Sequence, residues 1–289
     1  MDRGGAGPAR RCLDRRIQPV GQALVRSAPR RVPVRPRDPG PAADPIRHAR
    51  GGGADEGLRA GGGGGSGCEA GRGDRPHRAR SVTTDARLYL VAPVRLTAAP
   101  LIDLVDELVS AGVDLIQLRE KEMEAGDLLR IGAPLQEACT AAGVPFIVND
   151  RPDVAVTLGA DGVHVGQNDL PVDAVRRIFP AGIVGLSTHA PSEVDGSLRA
   201  DGLDYIAVGP VHETPTKPGR PAAGLDLVRY AARQVALPWF AIGGIERSNL
   251  ETVMEAGARR VVVVRAITQA PDPVSAAARL KELLLTAPL

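Results

Sequence analysis

Leu101-Ile102-Asp103-Leu104-Val105-Asp106-Glu107-Leu108-Val109-Ser110-Ala111-Gly112-Val113-Asp114-Leu115-Ile116-Gln117-Leu118-Arg119 holds a helix, a stop and a strand in one stretch. Leu101, Leu104, Val105 and Leu108 fall at i, i+3, i+4 and i+7, the spacing of a helix with one buried face. Ala111-Gly112 interrupts that spacing, and glycine there suits the left-handed residue that closes a helix. Val113–Arg119 then reads as a strand, short, aliphatic and polar only at its end.

The same alternation runs through the rest of the chain. Strands are expected at Leu88–Val91, Val113–Arg119, Pro145–Asn149, Gly162–Gly166, Ile183–Ser187, Tyr205–Gly209, Trp239–Gly243 and Arg260–Arg265. Helical patterns follow at Leu101–Ala111, Ala125–Ala142, Pro152–Gly159, Pro171–Phe179, Ser192–Ala200, Leu225–Val235, Arg247–Ala256 and Pro273–Leu284. The stop signal recurs in Ala142-Gly143-Val144, Gly159-Ala160-Asp161-Gly162, Ala200-Asp201-Gly202 and Ala256-Gly257-Ala258. Continuous runs such as Val261–Val264 suit strands covered on both faces. Eight β–α units in about 200 residues predict an α/β protein, a TIM (β/α)8 barrel over residues 85–289. A doubly wound sheet would want a glycine fingerprint after its first strand, and Val91-Ala92-Pro93-Val94 has none.

Residues 1–84 differ in kind. They carry 17 Arg, no Lys and eight acids, a net +9, while the remaining 19 bases and 26 acids leave −7. Gly51–Gly53, the run Gly61–Gly65 and frequent Pro offer too little apolar surface to offset the entropy of ordering, so disorder is expected. A solvated extension, or translation begun too far upstream, is the simplest reading. Acids and glycine runs argue against an organelle-targeting peptide, and there is no secretory apolar segment. The charge suits a nucleic-acid arm, but no aromatics are interleaved for stacking. In the whole chain 43% of residues are hydrophobic and 2% aromatic, so the core is expected to be aliphatic. Cys12, Cys68 and Cys139 form neither a disulfide framework nor a metal spacing, and no run is long enough to cross a bilayer. The expectation is a cytoplasmic protein with no membrane and no nucleic-acid partner; the sequence leaves homo-oligomerisation open.

In this fold the active site lies at the C-terminal strand ends, where the polar residues of this chain gather. Gln117, Arg119 and Lys121 alternate, so if Val113 and Leu115 face inward these three do too. Arg grips phosphate bidentately and Lys adds a point charge. Asn149-Asp150 and Gln167-Asn168-Asp169 end strands three and four. Each Asp could cap the next helix, or the two could form a hard-oxygen site for Mg²⁺. Ser187, in Gly185-Leu186-Ser187-Thr188-His189, can donate to phosphate. His164 reads as a hydrogen-bonded core histidine, and His189 fits either core or site. The loop from Gly209 to Gly219 carries Thr214, Thr216 and Lys217 and suits a segment that orders over substrate. Gly243-Gly244 lets backbone N–H groups approach an anion.

Taken together, Gln117-Leu118-Arg119-Glu120-Lys121, Asn149-Asp150, Val163–Asp169, Gly185–His189, Thr214–Lys217 and Ala241–Ile245 resemble the thiamine phosphate synthase family over about residues 87–285. The resemblance implies a transferase joining 4-amino-2-methyl-5-hydroxymethylpyrimidine diphosphate to 4-methyl-5-(2-phosphonooxyethyl)thiazole, two phosphorylated small molecules. Diphosphate leaves first in the family's dissociative mechanism, and the thiazole nitrogen captures the resulting cation. It further implies that Gln117 orients the pyrimidine and that Asn149 and Ser187 hydrogen-bond the diphosphate. Arg119, Lys121, Lys217 and Mg²⁺ on Asp150 and Asp169 would offset the charge that develops on it. Thr214, Thr216 and the Gly244 backbone would hold the thiazole phosphate, next to Val264 and Arg265. Arg265 stands where some members have a small hydroxyl residue. A thiazole tautomerase of the same barrel family would instead need a positioned acid–base group, with His189 or His212 as candidates. A non-catalytic, phosphate-binding regulatory barrel is the other alternative, but it should have lost Lys121 or an aspartate.

Overall fold

The computed structural model describes residues 85–93, 101–213 and 221–288. Residues 1–84, expected to be an extension, and Thr214, Thr216 and Lys217 lie outside the described residues. Eight parallel strands close in chain order into one barrel. They are β1 Leu88–Ala92, β2 Leu115–Leu118, β3 Phe146–Asn149, β4 Gly162–Val165, β5 Ile183–Thr188, β6 Tyr205–Val208, β7 Trp239–Ile242 and β8 Val261–Val263. A 3₁₀ turn, Leu101–Leu104, opens α1 Val105–Ser110. After it come α2 Ala125–Ala141, α3 Pro152–Leu158, α4 Val172–Ile178, α5 Pro191–Ser197, α6 Gly224–Gln234 and α7 Leu250–Glu255. A short helix, α8 Arg265–Thr268, precedes α9 Pro273–Leu285. All eight expected strands and all eight expected helices are present. Among the described residues no helix is long and apolar enough to cross a membrane.

Helix α8 has no counterpart in the sequence expectations. The eighth strand stops at Val263, because Val264 leaves the extended region at φ −124°, ψ −89°. Arg265, expected on a strand end, therefore opens a helical turn whose Ile267 and Thr268 are buried.

Two apolar layers flank the sheet. The outer layer lies between sheet and helices and is aliphatic, with Leu90, Ile116, Val148, Val163, Val208, Val261 and facing helix residues such as Leu108, Leu135 and Leu280. The inner layer fills the barrel with Tyr89, Val91, Leu115, Ile147, Ile183, Tyr205, Phe240 and Val262. It departs from the aliphatic expectation. Three of the chain's seven Trp, Tyr and Phe residues meet here edge to face, with ring centroids 5.5–6.0 Å apart. Strand register carries the inward set around the barrel, pairing Val91 with Gln117, Asn149 with His164, and Ser187 with Ala207. Val113 belongs to the outer layer, so inward parity in the second strand begins at Leu115 rather than at Val113.

The N-terminal end of the barrel is closed by a recurring device. Gly112-Val113-Asp114, Gly159-Ala160-Asp161 and Gly202-Leu203-Asp204 each stand directly before an even-numbered strand. Each Asp accepts a hydrogen bond from a backbone N–H at the start of the preceding odd-numbered strand. Leu88 N–H donates to Asp114 at 2.8 Å, Phe146 N–H to Asp161 at 2.9 Å and Val184 N–H to Asp204 at 2.8 Å. Cations brace two of the three, Lys281 at 2.6 Å from Asp114 and Arg176 at 2.5 Å from Asp204. Lys281 belongs to α9, so Asp114 also fastens the last helix to the first two strands.

Asp114→Ala should lower the unfolding free energy by about 2–3 kcal/mol, because it leaves strand N–H donors without an acceptor. Urea titration should show that loss while turnover stays unchanged, since Asp114 lies at the end of the barrel away from the site. Cys139 is fully buried, and burial pushes its thiol up to about 12. Peptide mapping after brief alkylation should find Cys139 unmodified in native protein and modified after denaturation.

Candidate active site at the C-terminal mouth of the barrel

The C-terminal strand ends frame a cavity of about 350 Å³, a size that suits a small-molecule site. On one side Gln117, Arg119, Asn149 and Ser187 line it, from β2, β3 and β5. On the other side stand Gly243 and Gly244, just past β7, Val264, just past β8, and Arg265, the first residue of α8. Strand parity explains the first group: Gln117, Asn149 and Ser187 are each the last inward residue of their strand, and Arg119 is the next position of that parity just past β2. Close approach of the backbone explains the glycine pair. Gly243 has φ +109°, and a Cβ on it would lie 2.5 Å from the Pro210 Cα.

Donors dominate the first wall. Burial draws the Arg119 guanidinium below its ordinary value, against the pull of Asp150 and Glu120, yet an arginine remains a cation. Asn149 is 7% exposed, and its Nδ2 has no hydrogen-bond partner among the described residues. A buried donor left unmatched costs about 1–3 kcal/mol, so this one is suited to an acceptor that arrives with a ligand.

Lys121, Asp150 and Asp169 stand beside the cavity rather than in its wall. Lys121 Nζ lies 3.3 Å from Asp150 Oδ2, with the lysine side chain 54% exposed. Neither carboxylate caps a helix. Arg151 holds the cap position of α3 and Pro171 that of α4, and neither makes a side-chain cap bond. Asp150 sits at φ +62°, left-handed, and Asp169 accepts from the Gly166 N–H at 2.8 Å. Burial raises the Asp150 carboxyl above its usual range. The adjacent Asp169 carboxyl, close enough to hydrogen-bond it, adds to this, and Lys121 opposes it.

Two features of the wall escaped the sequence reading. Tyr89 lines the cavity, although only its inward parity with Val91 marked it. His164 is hydrogen-bonded and buried, as a core histidine should be, but it also lines the cavity. His189 lines it as well, and its Nδ1 donates to the Gly209 carbonyl at 2.5 Å.

Residues 88–267 match the family model described as thiamine monophosphate synthase. The chain belongs to that family. Over 201 residues it is 53% identical to a thiamine-phosphate synthase of Thermus thermophilus, covering 68% of this chain and 97% of the relative. Another such synthase, from Acidothermus cellulolyticus, is 51% identical over 205 residues, 70% of this chain and 97% of the relative. Among solved structures, thiamine phosphate pyrophosphorylase from Pyrococcus furiosus superposes with a TM-score of 0.64 at 29% identity. That superposition covers 72% of this chain and 98% of the other. The family match begins with β1 and runs into α8, so it contains both walls of the cavity.

The raised Asp150 carboxyl has a consequence for stability. The folded state holds that proton more tightly than the unfolded chain, whose Asp titrates near about 3.9. Ionising it therefore costs stability above the folded-state value and nothing below the unfolded one. In chelator-treated protein, Asp150→Asn should raise the thermal midpoint at pH 8 relative to the parent. That advantage should shrink with acidification and vanish below about pH 3.9. Losing the rim pair with Lys121 subtracts little. An equal or lower midpoint at pH 8 would contradict this account of the carboxyl pair.

Proposed function

We propose that the cavity joins the pyrimidine diphosphate to the thiazole phosphate and releases thiamine phosphate and diphosphate, with one phosphorylated group on each wall. The observation that carries the reading is the buried Asn149 Nδ2, which has no hydrogen-bond partner among the described residues and shares the cavity wall with Arg119 and Ser187. In the dissociative route the C–O bond between the pyrimidine methylene and the diphosphate breaks first. Negative charge collects on the leaving diphosphate, and fixed donors placed where charge develops lower the barrier without reorganising. Arg119, Asn149 and Ser187 hold it, and Lys121 faces it from the rim. Gln117 orients the pyrimidine ring. Gly243 and Gly244 offer backbone N–H groups to the thiazole phosphate, with Arg265 alongside, so that the ring nitrogen meets the cationic methylene. Thr214, Thr216 and Lys217, which follow β6 in the chain and lie outside the described residues, would complete both phosphate sites. No protein nucleophile or strong base is needed.

Asp150 and Asp169 suit a magnesium ion. They supply only oxygen, and their mutual repulsion is relieved by a cation. Among the described residues no group of three or more His, Cys, Asp or Glu side chains gathers, so phosphate oxygens and water would complete the shell, as is usual for this ion. Bound there, the ion would add positive charge at the departing diphosphate. Identity of about half to thiamine-phosphate synthases and the retained carboxylate pair weigh against the tautomerase reading.

With both substrates and Mg²⁺ the protein should form thiamine phosphate, and Arg119→Ala should cut kcat by about 100-fold. Asp150→Ala should raise the Mg²⁺ concentration needed for half-maximal rate and recover part of its turnover at high Mg²⁺. Absence of product from folded, Mg²⁺-supplied protein would remove the proposal. Failure of rescue while substrate still binds normally would remove the metal role of Asp150.

A further inference from the structure

A file of buried polar groups crosses the barrel interior at the floor of the cavity. Gln117 Nε2 donates to the Tyr89 hydroxyl at 2.5 Å. The Tyr89 and Tyr205 hydroxyls are 3.0 Å apart, Tyr205 Oη is 3.0 Å from His164 Nδ1, and His164 Nε2 is 2.9 Å from Ser187 Oγ. Five residues on five strands thus link one cavity-lining group, Gln117, to another, Ser187. Room is made for the file at Gly185. A Cβ there would lie 2.1 Å from the Tyr205 ring and 2.5 Å from His164 Nδ1.

Chemistry gives the file a direction. An amide nitrogen can only donate, so Tyr89 Oη accepts from Gln117 and has its own hydrogen for Tyr205. Tyr205 in turn donates to His164 Nδ1. That nitrogen then carries the lone pair, and the neutral ring carries its proton on Nε2, which donates to Ser187 Oγ. The Ser187 hydrogen is left for the cavity. Burial lifts both phenols well above their ordinary values, so both keep the hydrogens that the sequence of bonds requires. Turning the Gln117 amide would reverse every bond. Ser187 would then donate to His164 and show only lone pairs to the cavity, which would repel a phosphate.

We propose that Tyr89, Tyr205 and His164 are positioning residues, a one-way relay through which the amide orientation of Gln117 fixes the Ser187 hydroxyl as a donor toward the diphosphate. The proposal rests on the reading of Gln117 and Ser187 given above. It adds that recognition of the pyrimidine ring and of its diphosphate are coupled through the barrel floor: a ligand donor that engages Gln117 Oε1 holds Nε2 on Tyr89 and so keeps Ser187 facing the anion.

Two measurements test it. In ligand-free protein, ¹⁵N NMR should find the His164 ring neutral with its proton on Nε2. Loss of the signals in His164→Gln assigns them, and their displacement in Tyr205→Phe assigns them if the first variant fails to fold. A proton on Nδ1 instead would overturn the direction. In turnover, Tyr89→Phe keeps the ring and removes one link, and it should lower kcat/KM for the pyrimidine diphosphate about ten-fold. KM for the thiazole phosphate should stay unchanged. Added to Ser187→Ala, it should cost much less than it does in the parent, because the last link is already gone and only the hold on Gln117 remains to be lost. Losses that multiply, or Tyr89→Phe behaving as the parent, would overturn the relay. A parent protein that makes no thiamine phosphate would instead remove the functional reading and leave the tautomer result to judge the direction of the file.

Discussion

Closure of a parallel sheet imposes one constraint on which the rest depends: in every strand, alternate residues must face the barrel interior. At the N-terminal end and middle the inward positions include the apolar Leu115, Ile147, Ile183 and Phe240. At the C-terminal end the sheet stops, and the same inward positions hold Gln117, Asn149 and Ser187. A one-residue slip in any strand would turn its site residue into the helix layer and an outer-layer Leu or Val into the cavity. Site geometry and core packing are therefore set by a single register. The Asp residues that tie β2, β4 and β6 to their odd-numbered neighbours lie where that register begins.

The division of labour between the two ends is unequal in free energy. At the base, carboxylates accept backbone donors and are braced by Lys281 and Arg176. At the mouth, Asn149 Nδ2 goes unmatched among the described residues, Arg119 is partly desolvated, and Asp169 raises the proton affinity of Asp150. Unmatched donors and crowded carboxylates are what a preorganised anion and cation site requires before its ligands arrive, and they destabilise the empty protein.

Much of this was legible in the sequence, for reasons that differ by residue. Eight alternating periods predict the barrel because helix and strand spacing repeat without large interruption. Gln117, Arg119, Asn149 and Ser187 were legible because each follows an apolar strand at the inward parity, which presents a polar side chain to the mouth of the barrel. The ambiguity at Asp150 and Asp169 was real: an Asp shortly before a proline-started helix looks the same whether or not it caps that helix, and only the cap geometry separates the two. Helix α8 was illegible because four residues are too few for a period, and Arg265 was carried with the strand. Tyr89, Tyr205 and His164 escaped because their partners are far apart in the chain. The two tyrosines are 116 positions apart and Tyr205 and His164 are 41 apart, and the closed barrel brings them into one file.

The proposed reaction needs one mouth with an anion-binding wall on each side. A crystal structure of the protein with thiamine phosphate and diphosphate tests it directly. The diphosphate should contact Arg119, Asn149 and Ser187, and the phosphate of thiamine phosphate should lie against the Gly243-Gly244 backbone. Both phosphorylated groups on the same wall, or the monophosphate on Arg119 and Asn149, would contradict it.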